Sequence, residues 1–87
     1  MRGPIFAVDR YPSLEEKACA LAYAIIRGHV FVDGNKRTGT AVLFQTLELN
    51  GRTLESDQDN LVATIESLAA GSLDFEAFVA WVRAHLR

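Results

Sequence analysis

Within the eleven residues from His29 to Gly39 the chain gathers an imidazole, a carboxylate, an amide, two adjacent cations and two glycines. Side chains of these types, this close together, suit work on a phosphate. His29, with an ordinary pKa of about 6.5, is mostly neutral at pH 7 and able to take a proton from a hydroxyl nucleophile. Asp33 offers the hard oxygen that Mg²⁺ accepts, one carboxylate being enough when phosphate oxygens and water complete the shell. Gly34 lets the backbone approach a ligand closely. Lys36 and Arg37 can neutralise phosphate charge as it shifts in a transition state. Asn35 and Thr38, one turn apart, can cap a helix or fix loop carbonyls. Together these residues point to phosphoryl or nucleotidyl transfer. The spacing is not that of the G-x-x-x-x-G-K-[ST] loop, and the chain is too short for a two-lobed protein kinase and lacks its motif set.

The elements that must position these groups follow from periodicity. The stretch lies between two apolar periodic segments and is predicted as a loop running into a helix N-terminus, where unpaired N–H groups and the helix dipole favour anions. Lys36 and Arg37 then sit in the first turn, where a cation is disfavoured by about 0.3–1 kcal/mol. A bound polyanion would reverse that cost. If the loop is extended, Val30 and Val32 fall on one side and His29, Phe31 and Asp33 on the other, with Phe31 expected to turn inward as an anchor. For Asp33, capping the helix or pairing with Arg37 are the alternatives to metal binding.

Ser13 with Glu16 forms a capping box, and Leu14, Ala18, Leu21, Ala22 and Ile25 recur at helical spacing until Gly28, which predicts a first helix over 14–27. A second, expected to be the central buried one, runs from Asn35 to about Leu49 and stops at Asn50-Gly51. Arg52 to Glu55 is a short connector. Ser56 or Asp57 caps a third helix carrying Leu61, Val62, Ile65, Leu68 and Ala69 before Gly71, and Asp74 caps a fourth with Phe75, Phe78, Val79, Trp81, Val82 and Leu86. Residues 1–12, which hold both prolines, read as an extended arm or flap able to pair with a partner strand. Strand signals are otherwise lacking, so residues 13–87 are expected to form a compact all-α bundle.

Eighty-seven residues allow one domain, burying about 60% or slightly more of its unfolded surface. A hydrophobic fraction of 49% with 23% charged residues is that of a folded globule. The net charge of −2 argues against a nucleic-acid binder, and no helix is basic enough to read a groove. Cys19, the single cysteine, excludes an internal disulfide and a multi-cysteine zinc site. It reads as a small buried hydrophobe. His85 is expected to interact with the dipole of the last helix. No apolar run reaches signal-peptide length or the ~20 residues of a membrane span, so cytoplasm is the expected location and no membrane the expected setting.

The stretch His29-Val30-Phe31-Val32-Asp33-Gly34-Asn35-Lys36-Arg37-Thr38 closely matches H-x-F-x-[DE]-[GA]-N-[KG]-R-T and resembles the Fic/Doc family. Lys36, where adenylylating members carry glycine, is similar to the Doc, or death-on-curing, branch of toxin–antitoxin toxins. Gly28-His29 after an alanine-rich helix and the exit Leu47-Glu48-Leu49-Asn50-Gly51 extend the likeness over most of residues 11–87. The resemblance implies a Fic-like all-α fold in which His29 removes the proton of a target Ser or Thr hydroxyl and ATP is the donor. It implies that Asp33 holds Mg²⁺, that Gly34, Asn35, Lys36 and Arg37 hold the nucleotide phosphates, and that Phe31 anchors the loop. Doc-branch proteins transfer the γ-phosphate to a translation elongation factor, whereas the glycine-bearing relatives transfer AMP. A long cationic side chain at position 36 fills space that glycine leaves open, which can change the phosphate presented for attack.

Three positions or segments depart from the pattern. Thr40 stands where the adenylylating pattern has a second arginine, which weighs against AMP transfer. Ala41 stands where the Doc type member has an asparagine, and it motivates a non-catalytic alternative, a scaffold that binds an antitoxin or a sister subunit. Family members carry a further helical segment before the flap, whereas this chain opens at Pro4-Ile5-Phe6, so a truncated start is expected. Apolar surface left by such a truncation would be covered by self-association, as a homo-oligomer, or by a partner. No Ser/Thr-x-x-x-Glu-Gly/Asn inhibitory motif occurs in the chain, and the resemblance therefore implies an antitoxin acting in trans.

Overall fold

The computed structural model describes residues 13–87, so the predicted arm at 1–12 lies outside the described residues. Ser13 has extended backbone and its hydroxyl oxygen accepts the Glu16 amide at 3.1 Å, which starts α1 (Leu14–Gly28). The same hydroxyl donates to the Glu16 carboxylate at 3.0 Å. After a loop come α2 (Asn35–Leu49), α3 (Gln58–Ala70) and α4 (Phe75–Ala84). Asp57, not Ser56, caps α3 by accepting the Asn60 amide, and Asp74 caps α4 by accepting that of Ala77. Gly71, at φ 85°, ends α3 in the left-handed conformation that glycine adopts without a Cβ penalty. The all-α class expected from the sequence holds.

The central helix is α1, not α2 as the periodicity suggested. α1 packs against each of the other three helices. Ala18, Cys19, Ala22 and Ile26 enter a core with Leu43 and Leu47 of α2, Leu54 of the segment that follows α2, Ile65 and Leu68 of α3, and Phe78, Val79 and Val82 of α4. On α2 only Gly39, Leu43 and Leu47 are buried outright, a stripe of one residue every four, with Phe44 partly buried against the same core. Gly39 packs directly against Ala22 and Ile26 of α1. A Cβ built on it would stand 2.5 Å from Ile26 Cγ1 and 3.2 Å from the Ala22 carbonyl oxygen, so only hydrogen fits.

The connector after α2 does more than join. Thr53 exchanges two backbone hydrogen bonds with Arg87, at 3.1 and 2.8 Å, and the Glu55 amide donates to the His85 carbonyl. Leu54 and Leu86 form an isolated antiparallel bridge. Leu86, expected on the fourth helix, therefore lies beyond its end, paired with the connector. Arg83 of α4 reaches back to Glu15 and Glu16 of α1. His85 ends α4 as expected of a dipole partner: its Nδ1 lies 2.7 Å from the Trp81 carbonyl oxygen, its Nε2 lies 3.3 Å from Asn60 Nδ2, and its ring stacks on Trp81. A carbonyl can only accept, so Nδ1 carries the proton and Nε2 receives the Asn60 amide.

Two outcomes test this packing. Gly39→Ala gains about 1 kcal/mol of helix propensity but overpacks the α1–α2 contact by about 1–3 kcal/mol. The urea midpoint should fall, and a raised midpoint would show that the two helices can part freely. Burial pushes the Cys19 thiol from 9.0 up to about 12, a rise that Arg83 partly offsets and Glu15 and Glu16 reinforce. The unfolded thiol ionises first, so the stability that the buried neutral thiol contributes is lost as pH climbs from 9.0 towards 12. Cys19→Ala should flatten the alkaline fall in midpoint, and a thiol reagent at pH 8 should label wild-type protein only on unfolding.

Candidate active site

The loop that links α1 to α2 occupies residues 29–34. Its first residue is the histidine. His29 has φ 49° and ψ 51°, the one non-glycine positive φ among the described residues, and this left-handed turn ends α1 one residue later than the expected stop at Gly28. Such backbone costs a bulky residue on the order of 1 kcal/mol and is commonest where a site needs it. The turn reverses the chain so that His29 lines a depression of about 540 Å³ together with Asp33, Gly34, Asn35, Lys36 and Arg37. Ile26, Val32 and Ala69 supply its apolar lining. All six residues singled out in the sequence thus meet around one space.

Asn35 shapes the loop. Its Oδ1 accepts the Phe31 amide and its Nδ2 donates to the Phe31 carbonyl, both at 2.9 Å. This two-point clamp is the carbonyl-fixing role expected of an amide at position 35. Phe31 itself does not turn inward. Its side chain is 48% exposed, as is that of Val30, and Val32 is fully exposed, so the loop is held by its backbone and not by a buried aromatic.

Neither alternative for Asp33 is realised. Its Oδ1 accepts the next amide, that of Gly34, at 2.8 Å, and it neither caps α2 nor pairs with Arg37 among the described residues. The other carboxylate oxygen has no hydrogen-bond partner among the described residues. The N-cap of α2 is Gly34, at φ 77°, which has no side chain to offer. Helix geometry leaves the Asn35, Lys36 and Arg37 amides without an intrahelical acceptor, the first such bond being from Thr38 to the Gly34 carbonyl at 2.9 Å. The other three helices each begin with a side-chain cap and an acid in the first turn, whereas α2 has neither. Its first turn carries two cations instead.

These cations differ. Lys36 Nζ lies 2.9 Å from Glu66 Oε1 on α3, and Arg37 makes no ion pair among the described residues. Sequence reasoning missed Glu66 because it lies thirty positions away on an exposed helical face that carries no motif. It also missed Arg27, whose guanidinium donates to the Ala69 carbonyl at 3.3 Å and ties the end of α1 to the end of α3 beside the depression. No three His, Cys, Asp or Glu side chains converge among the described residues. Asp33 alone offers one hard carboxylate on the depression, which fits a cation such as Mg²⁺ when phosphate oxygens and water complete its shell.

Fold and site define an all-α protein whose histidine- and aspartate-bearing loop leads into an uncapped, doubly cationic helix start. Residues 5–47 match the Fic/DOC family. The chain is also 40% identical, over 88 aligned residues, to "Toxin Doc" of Mycolicibacterium smegmatis, an overlap that spans 87% of this chain and 68% of the relative. The protein belongs to the Fic/DOC family.

The clamp at Asn35 can be measured without any substrate. Asn35→Ala removes both bonds to Phe31, each worth about 0.5–1.5 kcal/mol. Amide exchange at Phe31 should quicken by about tenfold while amides in the α1 core keep their protection; equal rates in the two proteins would show that something other than Asn35 holds the loop.

Proposed function

We propose that this protein is a Doc-like toxin that transfers the γ-phosphoryl group of Mg-ATP to a Ser or Thr hydroxyl of a translation elongation factor, and that an antitoxin restrains it in trans. The observation that carries the reading is the helix start described above: free amides, two cations and no acid, with an imidazole and a carboxylate on the same depression. The 40% identity to a protein named Toxin Doc supports the toxin assignment. Lysine at position 36, in place of the glycine of the adenylylating pattern, and Thr40, in place of its second arginine, favour phosphate over AMP transfer.

In this reading the target hydroxyl sits beside His29, whose ring nitrogen takes its proton as the oxygen attacks the γ-phosphorus. The bond between that phosphorus and the β–γ bridging oxygen breaks, and ADP leaves with the electron pair. The α2 amides with Gly34, Asn35, Lys36 and Arg37 hold the phosphates, and their fixed positive field needs no reorganisation as charge moves towards the leaving group. Asp33 would hold Mg²⁺, which supplies charge neutralisation across the phosphate oxygens. The left-handed backbone of His29 orients the base, and the Asn35 clamp keeps the loop from drifting. No helix among the described residues is long and apolar enough to cross a membrane.

Incubation with γ-labelled ATP and purified elongation factor should label the factor, and His29→Ala should lower the rate by about 10²–10⁴-fold. Label arriving from α-labelled ATP would replace phosphorylation by AMP transfer. No transfer from either donor, with no detectable binding of Mg-ATP at millimolar concentration, would favour the non-catalytic scaffold instead.

A further inference from the structure

We propose that Glu66 is a positioning residue for the anion site: its carboxylate holds the Lys36 ammonium on α3 until a polyphosphate draws that cation away, and so it limits how tightly the site grips its ligand. The proposal rests on the phosphate reading given above and adds to it a residue that belongs to no motif.

Lys36 stands on the border of two depressions. One is the site that holds His29 and Asp33; the other, about 440 Å³ between α2 and α3, is lined by Thr40, Leu61, Val62, Ile65 and Glu66, with Lys36 and Arg37 common to both. The ion pair turns the ammonium towards α3. Lys36 and Glu66 have side chains 52% and 58% exposed, so water competes for both and the pair is weak and easily exchanged. A lysine suits exchange, being a compact charge on a flexible four-carbon stem with three rotatable donors. Arg37, one residue on, has no acidic partner among the described residues, so the two adjacent cations differ: Lys36 is held by Glu66 and Arg37 is not held by any described acid.

A polyphosphate at the α2 start offers Lys36 a larger negative charge than one carboxylate. Its binding must break the Lys36–Glu66 pair, and it leaves Glu66 as an unpaired anion near the incoming one. Both effects oppose binding and both vanish when position 66 is neutral. Breaking an exposed pair of this kind corresponds to a factor of about two to five in affinity at low salt, fading as salt screens the charges. At rest, Glu66 relieves the cost of a cation in the first helical turn. A purely structural role of that sort would change stability and leave affinity alone.

The test is calorimetric titration of the full chain with inorganic tripolyphosphate, at low and high salt, for wild type, Glu66→Gln, Lys36→Ala and the double variant, with thermal melts to show that each is folded. Glu66→Gln should bind about two- to fivefold tighter at low salt, lose that gain at high salt, and gain clearly less in the Lys36→Ala background, where only the repulsion by Glu66 is left to remove. Equal or weaker binding by Glu66→Gln overturns the proposal. So does an equal gain without Lys36, which would make Glu66 a distant charge and not a holder of that side chain. If none of the four folded proteins binds tripolyphosphate, the phosphate reading fails and this proposal fails with it; binding that ignores position 66 sinks this proposal alone.

Discussion

The contact of Gly39 with Ala22 and Ile26 sets the spacing on which the site depends. Two helices can approach this closely only where one of them lacks a side chain, and here the gap is fixed one turn into α2. A six-residue loop then has to bridge a defined span from the end of α1 to the start of α2. That span decides how far His29 lies from the free amides of α2. The core beneath, with Ile26, Leu43 and Leu47 fully buried, gives this spacing a rigid support. Gly39, the residue after the motif, is thus a packing residue, while the side chains that line the depression come before it.

Local electrostatics follow from a choice made differently at one helix than at the rest. Ser13, Asp57 and Asp74 neutralise the starts of α1, α3 and α4 with short side chains. Gly34 leaves the start of α2 open. A helix that starts at glycine is less stable alone than one with a side-chain cap, by about a few tenths of a kcal/mol, and further support comes from the stripe against α1 and from the Asn35 amide gripping Phe31. The same features that leave the helix start wanting a partner make it receptive to an anion.

Much of this was legible from local sequence, because helix starts and stops are local events. Ser13, Asp57, Asp74 and Gly71 act where their side chains, or lack of one, dictate. The convergence of His29 with Asp33 and residues 34–37 followed from their closeness along the chain. What escaped was non-local. Periodicity made α2 the buried helix, yet burial is decided by how many neighbours a helix meets, and α1 meets three. Phe31 read as an anchor because large aromatics usually bury, but the loop gained its hold from backbone bonds to Asn35. The pairing of Thr53 with Arg87 and the ion pair from Lys36 to Glu66 join positions more than twenty-five residues apart, and no pattern near either end announces them.

The placement of α4 has a consequence for synthesis. α1, the loop and α2 leave the ribosome before Phe78, Val79 and Val82, which complete the core around α1, and Thr53 leaves well before its partner Arg87. Until then the early helices lack much of the apolar surface that holds them. The nascent chain therefore cannot close its core until α4 has emerged, and the loop between α1 and α2 acquires a firm foundation only then.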